Sequence, residues 1–445
     1  MFDLLIAGGT VVNAEGEARA DLGISGGRIS AVLKPGEAVS ARETLDVSGC
    51  HLLPGLVDAH AHLREPGLTH KEDFDSGTRA AALGGVTTVL DMPTDEPWTA
   101  TPEQLEAKMA AAGNRIHVDV GFQVALTNDL TVLDRLEALA PVSFELFTAD
   151  VPPPFLFPTM DAVASALRQF SDRNTMVGIS PGDQSILTGS TERDHRGDVA
   201  AFLASRPPLS EAFGIARAVL AAAGADARIH VRQINAALGV EAWSRLHDMA
   251  DATVETTPQN LFFTADGYAT PQGANLKASP PFRAQEDVDA LREAVASGLI
   301  DIIATDHAPH SVAEKAARYS AFADIPGGMP GLQTLLQTML RLVDQRLIGL
   351  ADVVRMCSRN PATRFGLGRR KGAIAAGYDA DLLVLDRRQK ARITNAEQAS
   401  RAGYTPFDGW TVNGRLDHVF LRGTQIVRQG ILASPGQGLI VKRES

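Results

Sequence analysis

The stretch "VDAHAHLREPG", residues 57–67, decides how this chain is read. The run before it, "CHLLPGL" (50–56), is apolar and leads into a buried strand. In a strand, side chains two positions apart lie on the same face. His60, His62 and Arg64 are therefore expected to point the same way. Two imidazoles on one face are metal-ligand geometry, and an arginine beside them suits a carboxylate or another anion. A His-x-His pair is equally at home as buried histidines that only satisfy hydrogen bonds, so the rest of the chain has to decide.

Working outward, the middle of the chain alternates. Strand-like runs stand at 56–63, 86–93, 117–126, 143–148, 175–180, 227–234, 252–258 and 300–308. Helical patterns lie between most of them, for example 72–85, 102–113, 210–224 and 285–298. Ser210 reads as an N-cap, and Gly224 and Gly298 read as stops. Eight strand candidates joined mostly by helices predict a (β/α)8 barrel. Both ends have a different texture. "DLLIAGGTVVN" and "ADLGISGGRISAV" at the start, and "ADLLVLD" and "LDHVFLRGTQIVRQG" at the end, are short β runs broken by turns. They predict a small β-sandwich domain built from both termini, residues 1–52 and 364–445, around a barrel of residues 53–363. A barrel of this kind carries its chemistry at the C-terminal ends of its strands. His60 and His62 end the first strand, His230 sits in the sixth, and Asp306 ends the eighth in "ATDHAPH" (304–310). Residues far apart in sequence then converge on one mouth, which favours the metal reading.

Composition narrows the partners. A net charge of −11 opposes non-specific nucleic-acid binding, which needs clustered Lys and Arg, although one local arginine still serves an anionic small molecule. Cys50 and Cys357 are the two cysteines, too few for a disulfide framework, and they fit a reducing cytoplasm. The opening "MFDLLIAGG" has no basic n-region, and no run approaches the length of a membrane span. A cytoplasmic chain without membrane association is expected.

The motifs, taken together, resemble a known family. "GLVDAHAHLREPG" (55–67) is followed by "KEDFDSGTRAAALGGVTTVLDMP" (71–93), "SRPPLSEAFGIARAV" (205–219) and "TPQNL" (257–261). Then come "SPPFRAQEDVDALREAVASGLIDIIATDHAPH" (279–310), "NPATRFGL" (360–367) and "KGAIAAGYDADLLVLD" (371–386). In this order they resemble the cyclic amidohydrolases of the amidohydrolase superfamily, dihydroorotases above all, with allantoinases and hydantoinases sharing the layout. The resemblance implies metal-dependent opening of a cyclic amide or imide. It assigns His60, His62 and Asp306 to one metal ion, and to Asp306 the role of general base. It places an anionic group of the substrate on Arg64 and His310.

The chain also departs from that family. There, a carboxylated lysine on the fourth strand and histidines from the fifth and sixth build a second metal site. Here Glu145 stands at the lysine position and Ser180 at the first histidine, while His230 matches the second. One Zn2+ or other divalent ion per chain is therefore expected, with no carboxylated lysine, and with Glu145 and His230 as candidates for further ligands. His195, in "TERDHRGD", reads as an exposed loop histidine. Thr94 replaces an asparagine of the substrate clamp, and Ser279 before "PP" is closer to hydantoinases. His307, adjacent to Asp306, is expected to face away as a packed histidine. The Gly- and Pro-containing run 310–333 suggests an ordered loop, or lid, at the mouth, and the helical patterns at 332–343 and 350–358 suit core packing or an oligomer face. The partner implied is a small cyclic amide, and a homodimer or homotetramer is expected. A second class stays open: some members of the family have lost catalysis and act as scaffolds for aspartate transcarbamoylase.

Overall fold

The computed structural model describes residues 1–194, 196–433 and 436–444, so His195 lies outside the described residues. Its centre is a parallel barrel. The first four strands are β1 (Leu56–Ala61), β2 (Val86–Asp91), β3 (Asp119–Ala125) and β4 (Ser143–Phe147), and every position in them is buried. Helices cover one face and side chains fill the other, so even their polar residues, among them Asp58, Gln123 and Glu145, are buried. β5 (Val177–Ser180), β6 (Ile229–Val231), β7 (Ala252–Thr256) and β8 (Ile302–Ile303) complete the set. Neighbours pair in chain order from β1 to β8.

The closure between β1 and β8 is unusual. β8 contributes only two residues to the ladder, and one parallel bridge, Ala61 to His307, joins it to β1. The rest of the seam is made by a side chain. The Asp58 carboxylate accepts from the Thr305 backbone N–H at 3.0 Å and from the Thr305 hydroxyl at 2.5 Å. His62 N–H adds a bond to the His307 carbonyl at 2.7 Å. Burial pushes the Asp58 carboxyl up to about 6, against the hydrogen bonds from Thr305 that favour its charge.

Helices alternate with the strands. The helix Phe74–Leu83 is capped by Asp73, and Pro102–Ala112 by Thr101, each with a reciprocal capping box. The helix expected to start at Ser210 starts earlier and runs Pro208–Ala225. Proline at the first helical position has no N–H to leave unsatisfied, so it begins the helix better than the serine two residues on. Ser210 instead accepts from the Asp183 N–H at 2.8 Å. In Leu335–Asp344 the residues Leu335, Leu336, Met339, Leu340 and Leu342 are buried, so this helix serves the core. Among the described residues no helix is long and apolar enough to cross a membrane.

Two further sheets come from the ends of the chain. Four N-terminal strands pair in the order Arg28–Leu33, Asp21–Ser25, Phe2–Ala7 and Ala41–Asp46. In the seven-stranded sheet, Leu382–Arg392 lies between His51–Pro54 and Thr411–Leu421, so both ends of the chain share one ladder. Ile6, Leu22, Ile24 and Leu52 pack with Leu382, Val384 and Phe420 between the sheets. These sheets are tied to the barrel by charge as well as packing. Buried Lys371 places Nζ 2.6 Å from Asp119 on β3 and 2.6 Å from Asp381. The strand Ile440–Val441 adds in parallel to β3.

Candidate active site

His60 and His62 leave β1 on one face, as the period of two requires, and Asp306 follows β8 across the seam. His60 Nε2 and His62 Nε2 lie 3.3 and 3.1 Å from Asp306 Oδ1. The opposite nitrogens are tethered. His60 Nδ1 meets Glu255 Oε1 at 2.5 Å, and His62 Nδ1 meets Thr94 Oγ1 at 2.7 Å. A carboxylate only accepts, so His60 Nδ1 carries the proton, and with an ion bound Nε2 would present its lone pair to it. The ligand atoms of the three residues lie within 4.8 Å of one another. Two imidazole lone pairs and one carboxylate oxygen fit a divalent ion with room for a further ligand. Burial lifts the Asp306 carboxyl to about 6, with Glu255 adding to it and His60 and Arg64 opposing it. Burial, reinforced by Arg64 and His60, holds His62 well below the usual imidazole range. His307 turns away from the triad, as expected: it is buried, its Nε2 lies 3.3 Å from Glu72, and its Nδ1 accepts from the Gly331 N–H. A second group among the described residues, Cys50 with Asp386 and Asp417, has its carboxylates held by Arg388 at 2.8 Å and Arg415 at 2.6 Å.

The expected further ligands lie elsewhere. Glu145 is inside the barrel but faces Arg232, whose Nε and Nη2 reach its two oxygens at 3.1 and 2.7 Å. His230 is fully buried: Nε2 donates to Glu255 at 3.0 Å, and Nδ1 accepts from the Thr253 hydroxyl at 2.8 Å. Burial lowers its pKa to about 4, so it is neutral. With one carboxylate and one imidazole already spent, and Ser180 a hydroxyl, these residues do not fit a second ion. Arg232 was not singled out in the sequence, although "IHVR" obeys the same period of two as "HAH". The residue that reaches the triad from this side is Gln233, just past β6, whose Nε2 donates to Asp306 Oδ2. Its φ of 50° turns it out of the strand direction, which alternation cannot foresee. Arg64 (φ 62°) and Asp306 (φ 45°) share this left-handed backbone. Such strained positions concentrate where the surrounding structure holds a site in shape.

The substrate candidates surround the same mouth. Arg64 has a buried Nε without a partner, and no ion pair fixes its guanidinium among the described residues. Thr94 Oγ1 lies 2.7 Å from His62 Nδ1. His310 differs from expectation. Its Nε2 donates to the Gly327 carbonyl at 3.2 Å, so Nδ1 is an acceptor, and it takes a bond from Lys71 Nζ at 3.3 Å. Burial, then the nearby Arg64 and Lys71, lowers the His310 pKa to about 2. The charge beside it is therefore the Lys71 ammonium, which also lies 3.4 Å from Glu314. Ser279 lines a cavity of about 190 Å3 together with Ser180, Gln233, Phe147 and Arg283. The segment after β8 is ordered by two buried lysines: Lys277 Nζ bonds the Ala323 and Ile325 carbonyls at 2.8 and 2.5 Å, and Lys315 Nζ the Lys277 carbonyl at 3.0 Å.

The chain is similar to known proteins over nearly its whole length. Residues 49–237 match the dihydro-orotase-like family and residues 226–426 the amidohydrolase family. A dihydroorotase of Methanothermobacter thermautotrophicus is 31% identical over 436 residues, covering 97% of this chain and 95% of that protein. An allantoinase of Deinococcus radiodurans is 32% identical, covering 100% of this chain and 99% of its own length. The L-hydantoinase (dihydropyrimidinase) of Arthrobacter aurescens superposes with a TM-score of 0.94 at 28% identity, covering 100% of both chains. The chain thus belongs to the cyclic amidohydrolases of the amidohydrolase superfamily, alongside dihydroorotases, allantoinases and hydantoinases.

Proposed function

We propose that this protein hydrolyses the C–N bond of a cyclic amide or imide, with a single divalent ion held by His60, His62 and Asp306. The observation that carries this reading is the convergence of His60 Nε2 and His62 Nε2 on Asp306 Oδ1 at 3.3 and 3.1 Å. An ion bound there supplies a Lewis acid that polarises the ring carbonyl and acidifies water. The chain's own residues do the rest. Glu255 and Thr94 hold the two imidazoles in the orientation their role needs. Gln233 fixes the plane of the Asp306 carboxylate. Asp306 takes the proton released when water attacks the carbonyl and returns it to the departing ring nitrogen. Arg64, with the Lys71 ammonium behind it, draws an acidic group of the substrate to the mouth, and Thr94 and Ser279 offer hydroxyls to the ring.

The test is a ring-opening assay on dihydroorotate, hydantoin, dihydrouracil and allantoin, run before chelation, after chelation and after Zn2+ is restored. Hydrolysis of at least one ring that disappears with the chelator and returns with Zn2+ is the expected result. No hydrolysis of any ring by Zn2+-loaded protein, together with a stable complex with aspartate transcarbamoylase on a sizing column, would carry the scaffold reading instead.

A further inference from the structure

Glu145 and Glu255 are two fully buried carboxylates that reach one point inside the barrel. His230 and Gln123 help to line it, through Glu255 and through the Gln123 amide oxygen. Carboxylates, an imidazole and an amide oxygen are donors that a divalent cation collects. Two buried anions side by side also demand a positive charge. The cation present is the Arg232 guanidinium, itself fully buried. Nε and Nη2 grip Glu145 at 3.1 and 2.7 Å. Nη2 also reaches Gln123 Oε1 at 2.5 Å, and Nη1 reaches the Ala59 carbonyl at 2.9 Å and Glu255 Oε2 at 3.1 Å. Its face lies against Phe365, 5.3 Å from the ring centre. The neighbouring strand is shaped for this arrangement: a Cβ at Gly178 would fall 2.2 Å from Glu145 Oε2.

We propose that Arg232 is a built-in cation that takes the place of a second metal ion, and that it is a positioning residue for the first. The connection is short. Arg232 holds Glu255 Oε2, and Glu255 Oε1 holds His60 Nδ1 at 2.5 Å. The guanidinium thus fixes, through one carboxylate, which nitrogen of His60 faces the triad. This rests on the one-ion reading above only for the identity of the group at His60, His62 and Asp306.

The experiment counts ions per chain after incubation with excess Zn2+ and desalting, and measures Zn2+ affinity by competition with a chromophoric chelator. It compares wild type, Arg232→Lys, Arg232→Ala and the neutral pair Glu145→Gln/Arg232→Met. Wild type is expected to hold one ion however much is supplied. Arg232→Ala leaves Glu145, Glu255 and His230 facing an unneutralised space and is expected to take a second ion, with a melting temperature that rises on Zn2+ addition more than in wild type. Arg232→Lys keeps a cation and is expected to stay at one ion. The neutral pair removes one charge of each sign, so it keeps the test available should Arg232→Ala not fold. It is expected to stay at one ion but bind it about tenfold more weakly. In it the His60 Nδ1–H signal, followed by long-range nitrogen correlation, shifts. Two ions in wild type would overturn the proposal. So would unchanged affinity and an unchanged His60 signal in the neutral pair. A wild type that binds no ion at all would sink the one-ion hydrolase reading, while a gain of metal in Arg232→Ala would still stand for Arg232.

Discussion

Arg64 is a cation without a fixed partner beside a cluster of charges, and that decides what its removal does. Its Nε is buried and unpaired, and its charge acts on Asp306 without an ion pair, opposing the upward push that burial gives that carboxyl. Hydrogen bonds to charged groups are worth about 1.5–3 kcal/mol. Arg64→Met is therefore expected to raise KM for a carboxylate-bearing ring by about 10- to 100-fold while leaving an uncharged ring nearly unchanged, as steady-state kinetics on dihydroorotate and dihydrouracil would show. An equal loss on both rings would mean that Arg64 shapes the loop and does not read charge. At this scale His60, His62 and Asp306 were legible, because a period of two and a barrel mouth suffice to bring them together. Gln233 and Lys71 were not. Gln233 depends on a left-handed φ, and Lys71 depends on a loop that folds it back onto His310.

Elements carry a different kind of information. β1 to β4 were legible as strands because they are short runs rich in Val, Leu, Phe and Thr set between helical patterns. The eighth was overread: nine residues, 300–308, look like a strand, yet only Ile302–Ile303 forms ladder. Beyond it the Thr305 N–H and hydroxyl bond to the Asp58 side chain, and a carboxylate 247 residues away in sequence leaves no periodic trace. Asp58→Asn keeps one acceptor oxygen and puts a donor where the second was. It is expected to destabilise the fold by about 1–3 kcal/mol, read as a lower urea midpoint. Gly178→Ala belongs to the same scale. Its Cβ would meet a carboxylate that Arg232 grips from two sides, so the neighbour cannot simply swing away. A loss of about 1–3 kcal/mol in urea unfolding is expected, and an unchanged midpoint would show that β4 and β5 can part at no cost.

The whole molecule depends on a few long-range ties. The strand texture of both ends pointed to one β unit, and the ladder between His51–Pro54 and Leu382–Leu385 joins them. How that unit is fastened to the barrel was not legible, since it turns on Lys371 among three aspartates and on Arg422, which also bonds Asp119. Lys371 Nζ lies 2.6 Å from Asp119 and Asp381 and 3.2 Å from Asp379. Lys371→Met leaves buried carboxylates without their cation, and breaking such a set destabilises by about 3–5 kcal/mol. Asp119 keeps Arg422, so the lower end of that range is expected in denaturant unfolding.

The seam between the first and eighth strands has a last consequence. His60 and His62 stand on one side of it and Asp306 on the other, and the backbone between them is joined by a single bridge. Under the one-ion proposal, a divalent ion held by these three side chains would clasp the barrel across this seam, so that loading the ion and shutting the cylinder would become one event. Amide hydrogens at residues 56–63 and 302–307 should exchange with deuterium more slowly once Zn2+ is bound, and those of the distant terminal sheets should not change.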